Sequence, residues 1–251
     1  MIPHLGSLLM ITLLAACATG PDPVVIYESP REAVRVAFDP QSGTGHSHPA
    51  AITPDQMAKI LQGVRVSQRN TFGLGGLFGQ NEEAPAFSTS EIAVLASPLS
   101  RALAMASPKD LATFYATSYD PKLGKLVTSG GLFVRHQRVY IMVANSRTPP
   151  SAGPYEGTAY ELDNRNEPLT PIARYRFSVG FVPEDARLPL DQAGAEDGYT
   201  RRYVDKSKLL VIDLLRLPAA TADRRSSPND PREPEVQRNA QGNVKREGNA
   251  Q

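Results

Sequence analysis

The chain offers few side chains whose type and spacing suit chemistry, and the clearest are in the segment His46-Ser47-His48. Alternate side chains of an extended segment face the same way, so His46 and His48 could bind one metal ion. Asp39 could add a carboxylate, and His136 is the remaining histidine of the body. The alternative is that this segment is a solvated turn.

Nucleophilic and nucleotide-binding motifs are weak. The glycines between Gly73 and Gly79 lack the lysine of a P-loop and the third glycine of a dinucleotide fingerprint, which favours a flexible connector. Ser129 precedes two glycines and a predicted strand, so it fits a bulge or tight turn better than a nucleophile. We therefore predict no catalytic residue. Three apolar residues of the connector could contact a membrane or a partner, or could fold back on the core: Leu74, Leu77 and Phe78.

The single cysteine, Cys17, ends a distinctive N-terminal segment. No Lys, Arg, Asp or Glu occurs before it, and residues 5–16 form an apolar stretch with the sequence LGSLLMITLLAA. A helix needs about 20 residues to span a bilayer, so this stretch fits a signal peptide better than a transmembrane anchor.

The four residues Leu14-Ala15-Ala16-Cys17 resemble the lipobox of bacterial lipoproteins. The resemblance covers this N-terminal segment alone. It implies cleavage before Cys17, a diacylglyceryl thioether on its thiol and, in many such proteins, a third acyl chain on the freed amine. Two or three acyl chains give stable anchoring, whereas one chain holds only marginally. In lipoproteins of cells with two membranes, a residue other than Asp after the cysteine implies delivery to the outer membrane, and Ala18 stands there.

Composition excludes several classes of function. The chain has 251 residues with 27 basic and 26 acidic side chains, so we expect no binding to nucleic acid or anionic lipid that is driven by net charge. One cysteine can form neither an internal disulfide nor a multi-cysteine metal cluster. We predict no cofactor besides the covalent lipid on Cys17.

The chain divides into four zones. We expect a signal peptide at 1–16, a lipidated tether at 17–23, a single folded domain at 24–217 and a charged tail at 218–251. The tail has four prolines and no aromatic, Leu, Ile or Met residue, so it cannot bury enough apolar surface to fold. Subtracting its six basic and five acidic residues from the totals of 27 and 26 leaves 21 of each, and the folded domain is close to neutral.

Two helices are predicted from capping boxes. Thr53 and Gln56 flank the first helix start, and Ser88 and Glu91 flank the second. Pro98 lies within the second apolar stripe, where it either kinks the helix or begins a new one.

Strand patterns dominate the remainder of the domain. The strongest are 111–119 and a hairpin at 132–145 with its turn near residues 136–138. Weaker candidates lie at 24–27, 34–38, 158–162, 175–182 and 209–215. These patterns predict an α+β fold in which an antiparallel, twisted sheet carries both helices on one side.

Two functional hypotheses remain at this point. The first is a lipid-anchored, non-catalytic accessory, scaffold or assembly protein that faces the periplasm and binds an unknown envelope protein. The second is a periplasmic hydrolase or a ligand- or metal-binding protein that uses His46 and His48.

Overall fold

A computed structural model of the chain describes residues 20–68, 83–150, 164–173, 176–192 and 206–218. The chain divides into two units, Met1–Pro218 and Ala219–Gln251, and every described residue belongs to the first. The predicted signal peptide, the strand predicted at 158–162 and, apart from Pro218, the predicted tail lie outside the described residues.

The fold is α+β, as predicted, with one large antiparallel sheet and two helices. The helices are α1 (Pro54–Gly63) and α2 (Thr89–Met105). The strands are β1 (Val24–Glu28), β2 (Glu32–Phe38), β3 (Val64–Gln68), β4 (Glu83–Pro85), β5 (Asp110–Asp120), β6 (Gly124–Arg135), β7 (Arg138–Thr148), β8 (Phe177–Phe181) and β9 (Leu209–Asp213). Six of them form the main sheet in the order β1-β2-β5-β6-β7-β9, with antiparallel pairing throughout.

A second sheet of three strands, in the order β4-β3-β8, was not predicted. Its central strand β3 begins immediately after α1, where Val64 and Val66 point into the core. The cap of α1 at Val64 is already extended, so the chain passes from helix to strand without a turn sequence that would mark the change. Residues 83–85, for which no strand was predicted, form β4.

Both predicted helix starts are confirmed. Thr53 Oγ1 accepts a hydrogen bond from the Gln56 backbone amide, and the Gln56 side chain accepts one from the Thr53 amide. Ser88 and Glu91 make the same reciprocal pair at the start of α2. Each pair satisfies two backbone donors that have no partner within the helix.

Helix α2 continues past Pro98 to Met105, so the sequence 89–105 forms one helix rather than two. Helix α1 lies against α2, where the Ser100 hydroxyl donates to the buried carbonyl of Ile52. None of the helices among the described residues is long and apolar enough to cross a membrane.

The main sheet is covered on both faces. One face packs against the helices and the second sheet, and its strands contribute Val34, Val36, Phe114, Leu132, Val134, Ile141 and Ile212. The opposite face contributes Leu111, Tyr115, Phe133, Tyr140, Met142 and Val211. Segments 164–173 and 186–190 cover this second face, with Ile172 and Leu188 buried against it.

The central strands β6 and β7 approach too closely at Gly130 for any side chain. A Cβ atom there would lie 2.0 Å from the backbone oxygen of Met142 in the neighbouring strand. The pairing shifts register on either side of Ser129, so of the two predicted alternatives, a bulge or a tight turn, the structure has an irregularity of the bulge type, and it lies inside β6 rather than before a strand.

We predict that Gly130→Ala lowers the free energy of unfolding by about 3 kcal/mol or more, because backbone in the centre of a sheet must move to admit the methyl group. Urea denaturation measures the change. The control is Gly124→Asn, since Gly124 has a φ of +74° and no atom within 4 Å of an added Cβ. Asn tolerates this left-handed conformation. Equal denaturation midpoints for both variants would contradict the packing argument.

Candidate functional site

The histidine segment is held across one end of the main sheet by backbone hydrogen bonds. The amide of Asp39 donates to the carbonyl of Lys109, and that of His46 donates to Pro108. One residue further on, the Ser47 amide donates to the carbonyl of Val134 at the end of β6. The segment 39–48 therefore links the start of β5 to the end of β6.

His46 is wholly buried and hydrogen-bonded through both ring nitrogens. Its Nε2 lies 2.8 Å from Asp39 Oδ2, and Arg135 Nε donates to its Nδ1 at 3.4 Å. Because Nδ1 accepts, Nε2 carries the proton that is donated to the carboxylate. The ring stacks on Phe133 with a centroid distance of 4.1 Å.

Arg135 completes this cluster from the end of β6. Its Nη2 donates to the Ser42 carbonyl at 2.6 Å, and its guanidinium carbon lies 5.8 Å from the centroid of the Phe133 ring. The carboxylate of Asp39 and the guanidinium of Arg135 thus lie on opposite sides of the His46 ring. A buried pair of opposite charges needs such satisfied geometry to offset its desolvation.

His48 is also buried, but its environment differs. Its Nε2 accepts a hydrogen bond from the Val134 backbone amide at 3.0 Å, so the proton of the neutral ring sits on Nδ1. Among the described residues Nδ1 has no hydrogen-bond partner. Burial and then the neighbouring His46 lower the pKa of His48 from 6.5 to about 4, against weaker opposing contributions from the backbone at Ser107 and Asp110.

This arrangement is suited to holding the chain in place rather than to catalysis. The imidazoles lie near each other, with centroids 5.5 Å apart, but both nitrogens of His46 and Nε2 of His48 are engaged by protein groups. Within the described ranges, no group of three or more His, Cys, Asp or Glu side chains could hold a metal ion. Asp39 does lie beside His46, as a hydrogen-bond partner. The metal site at His46 and His48 stays a prediction, and this geometry does not favour it.

The other residues considered from the sequence are distributed as follows. His136 occupies the tight turn between β6 and β7 with a φ of +54°, and its amide donates to Ser47 Oγ. Ser129 Oγ is buried and accepts from the side-chain amides of Asn145 and Asn164, so it is a packing residue of the sheet. Four predicted contact or modification residues lie outside the described part of the chain: Cys17, Leu74, Leu77 and Phe78.

Sequence reasoning missed the partners that define the cluster, Phe133 and Arg135. Phe133 and Arg135 flank the buried Val134 at the end of β6. An arginine on a strand of nearly continuous apolar residues needs a partner inside the protein, so its presence is a weak signal of a buried polar contact. Nothing in the sequence identified His46 as that partner.

The most exposed aromatic side chain of the described residues lies at the opposite end of the sheet. The β5–β6 hairpin extends past the last residues paired with β2 and β7, which are Ala116 and Val127. At its tip Tyr119 is 79% exposed and Leu123 is 59% exposed. Asp120 Oδ1 fixes the turn by accepting from the amides of Lys122 and Leu123.

No protein-family model, curated protein or solved structure matches this chain.

We predict that the protein loses stability on acidification between pH 6.5 and pH 4 because of His48. Below pH 6.5 the unfolded chain binds a proton at this ring and the folded protein does not, until the pH falls to about 4. This difference in proton binding lowers the free energy of unfolding by about 3 kcal/mol at pH 4. Urea denaturation at a series of pH values measures it.

The matched variant is His48→Gln, whose side-chain oxygen can still accept from the Val134 amide but does not titrate. It should reduce the loss of stability between pH 6.5 and pH 4 by about the same 3 kcal/mol. His136→Asn, in the exposed turn, should leave the loss unchanged. If His48→Gln retains the full acid sensitivity of the natural chain, His48 is not its source.

Proposed function

We propose that this protein is a lipid-anchored, non-catalytic accessory protein of the bacterial cell envelope. Cys17 attaches it to the outer membrane on the periplasmic side, and the tip of the β5–β6 hairpin binds an envelope protein partner. The observation that carries the partner role is the exposure of Tyr119 and Leu123 on a turn that is held rigid by Asp120.

The hairpin tip has the properties of a protein contact surface. Tyrosine is enriched among the residues that dominate binding energy, since its large ring loses little conformational entropy. The left-handed conformation of Gly124 and the bonds to Asp120 preorganise the tip, which lowers the entropic cost of association.

The position of the tip supports a tethered role. Tyr119 lies nine residues along β5 from Asp110, which pairs with Phe38 at the end where the chain enters the sheet. At a rise of about 3.4 Å per residue, roughly 30 Å separates Tyr119 from Asp110 along the strand. An anchor on Cys17 therefore leaves the tip free to meet a partner away from the site of attachment.

The alternative, a hydrolase that uses His46 and His48, lacks support from their contacts. A general base needs a nitrogen within reach of a substrate proton, and the nitrogens of His46 bond to Asp39 and Arg135 in the interior. Nδ1 of His48 has no such bond among the described residues, but the side chain is buried and its Nε2 bonds to the Val134 amide. No observation favours this second function.

The anchor is tested with Cys17→Ala. Because Cys17 is the only cysteine, this variant should lose all thioether-linked acyl label and leave the membrane fraction. Ala18→Asp serves as the control: it should keep the acyl label and, in a cell with two membranes, move the protein from the outer to the inner membrane. Acyl labelling and membrane fractionation that persist in Cys17→Ala would contradict the lipoprotein assignment.

The partner surface is tested by photo-crosslinking in intact cells. A photoreactive residue at Tyr119 should give a discrete adduct with one envelope protein, and the same probe at the exposed Val182 should not. The double variant Tyr119→Ser, Leu123→Ser should lose copurification of that protein with little change in stability, because substitutions of exposed residues cost only about 0.5 kcal/mol. Unchanged copurification would contradict the role of the tip.

A further inference from the structure

Three exposed apolar side chains lie on elements that meet where the chain enters the main sheet. They are Val24, Phe38 and Met105, with exposed fractions of 54%, 39% and 64%, and we name them the entry ridge. Val24 pairs with Val36, so both project from the face of the sheet that carries the helices. Phe38 lies two residues beyond Val36 on the same face of β2.

Met105 joins this group through the last turns of α2. Arg101 Nη2 donates to the carbonyl of Ile26 in β1, and Met105 lies one helical turn further along the same side of α2. The chain then returns to the sheet at Asp110, which pairs with Phe38. The end of α2 and the end of β2 therefore lie at the same level.

Covalent geometry limits how far the entry ridge can be from the proposed lipid. Gly20 packs directly against the Phe38 ring, since a Cβ on Gly20 would lie 2.9 Å from Phe38 Cδ1. Three residue steps separate Gly20 from Cys17. In any conformation their Cα atoms are at most about 11 Å apart. An acyl chain on Cys17 thus starts close to Phe38.

We infer that the entry ridge rests on the lipid bilayer at the boundary between headgroups and acyl chains, so that the body is oriented on the membrane rather than free to rotate about its tether. This inference rests on the proposed lipid anchor. The anchor supplies a high effective concentration of bilayer at the ridge, so three apolar side chains suffice although they would not bind a membrane alone. The basic and acidic residues up to residue 217 balance, so the proposed contact is apolar and does not depend on net electrostatic attraction to anionic lipid.

The chain contains no tryptophan, which makes a direct test available. Phe38→Trp and Tyr119→Trp each introduce a single tryptophan. The first lies beside Asp110 at the start of β5, and the second lies near the other end of β5. Both variants, in their mature acylated form, are reconstituted into phosphatidylcholine vesicles with and without brominated phosphatidylcholine. Brominated lipid should reduce the emission of Phe38→Trp about twofold, since interfacial side chains insert only about 5–10 Å, and should leave Tyr119→Trp unchanged.

A second variant tests whether the apolar side chains of the entry ridge, rather than mere proximity of the anchor, bring the fluorophore into the bilayer. Adding Val24→Asp and Met105→Asp to Phe38→Trp should remove most of the quenching while the protein still floats with the vesicles, and circular dichroism confirms that it is folded. Equal quenching of Phe38→Trp and Tyr119→Trp in floating, acylated protein would overturn the inference but not the anchor. Protein isolated from membranes that carries no acyl group on Cys17 would overturn the anchor and, with it, the inference.

Discussion

Burial of the central strands β5, β6 and β7 on both faces is the constraint on which the rest of the structure depends. A polar side chain in the buried stretches of these strands has little access to solvent and must find a partner inside the protein. Asn145 and Ser129 bond to each other on one face, and Arg135 bonds to His46 and to a backbone carbonyl at the sheet end. The buried polar groups therefore hold the covering segments in place.

The parts of the fold that could be predicted are those set by local chemistry. Capping boxes at Thr53 and Ser88 identified both helices, because each cap depends on residues three positions apart. The β6–β7 hairpin was predicted from alternation and from its tight turn. Strand β3 was missed since it follows α1 without a turn, and its partner β8 lies more than 100 residues away, beyond the reach of any local pattern. The covering of the second face by segment 164–173 depends on similarly distant contacts.

The candidate site was likewise predictable in its local features and not in its long-range contacts. The residue types and spacing of His46 and His48 were visible in the sequence, and so was a nearby carboxylate at Asp39. Their roles depend on Arg135 and on the Val134 amide, 89 and 86 residues away, which occupy the nitrogens that a metal or a substrate would need. Spacing alone therefore suggested a ligand site where the tertiary contacts favour a structural cluster.

We propose that lipid on Cys17 determines which end of the sheet meets the membrane and which end meets a partner. The most direct test is the mass of the N-terminal peptide of the mature protein isolated from membranes. The account predicts that this peptide begins at Cys17 and carries a diacylglyceryl group on its sulfur. A peptide that begins elsewhere, or that has an unmodified Cys17 thiol, would contradict it.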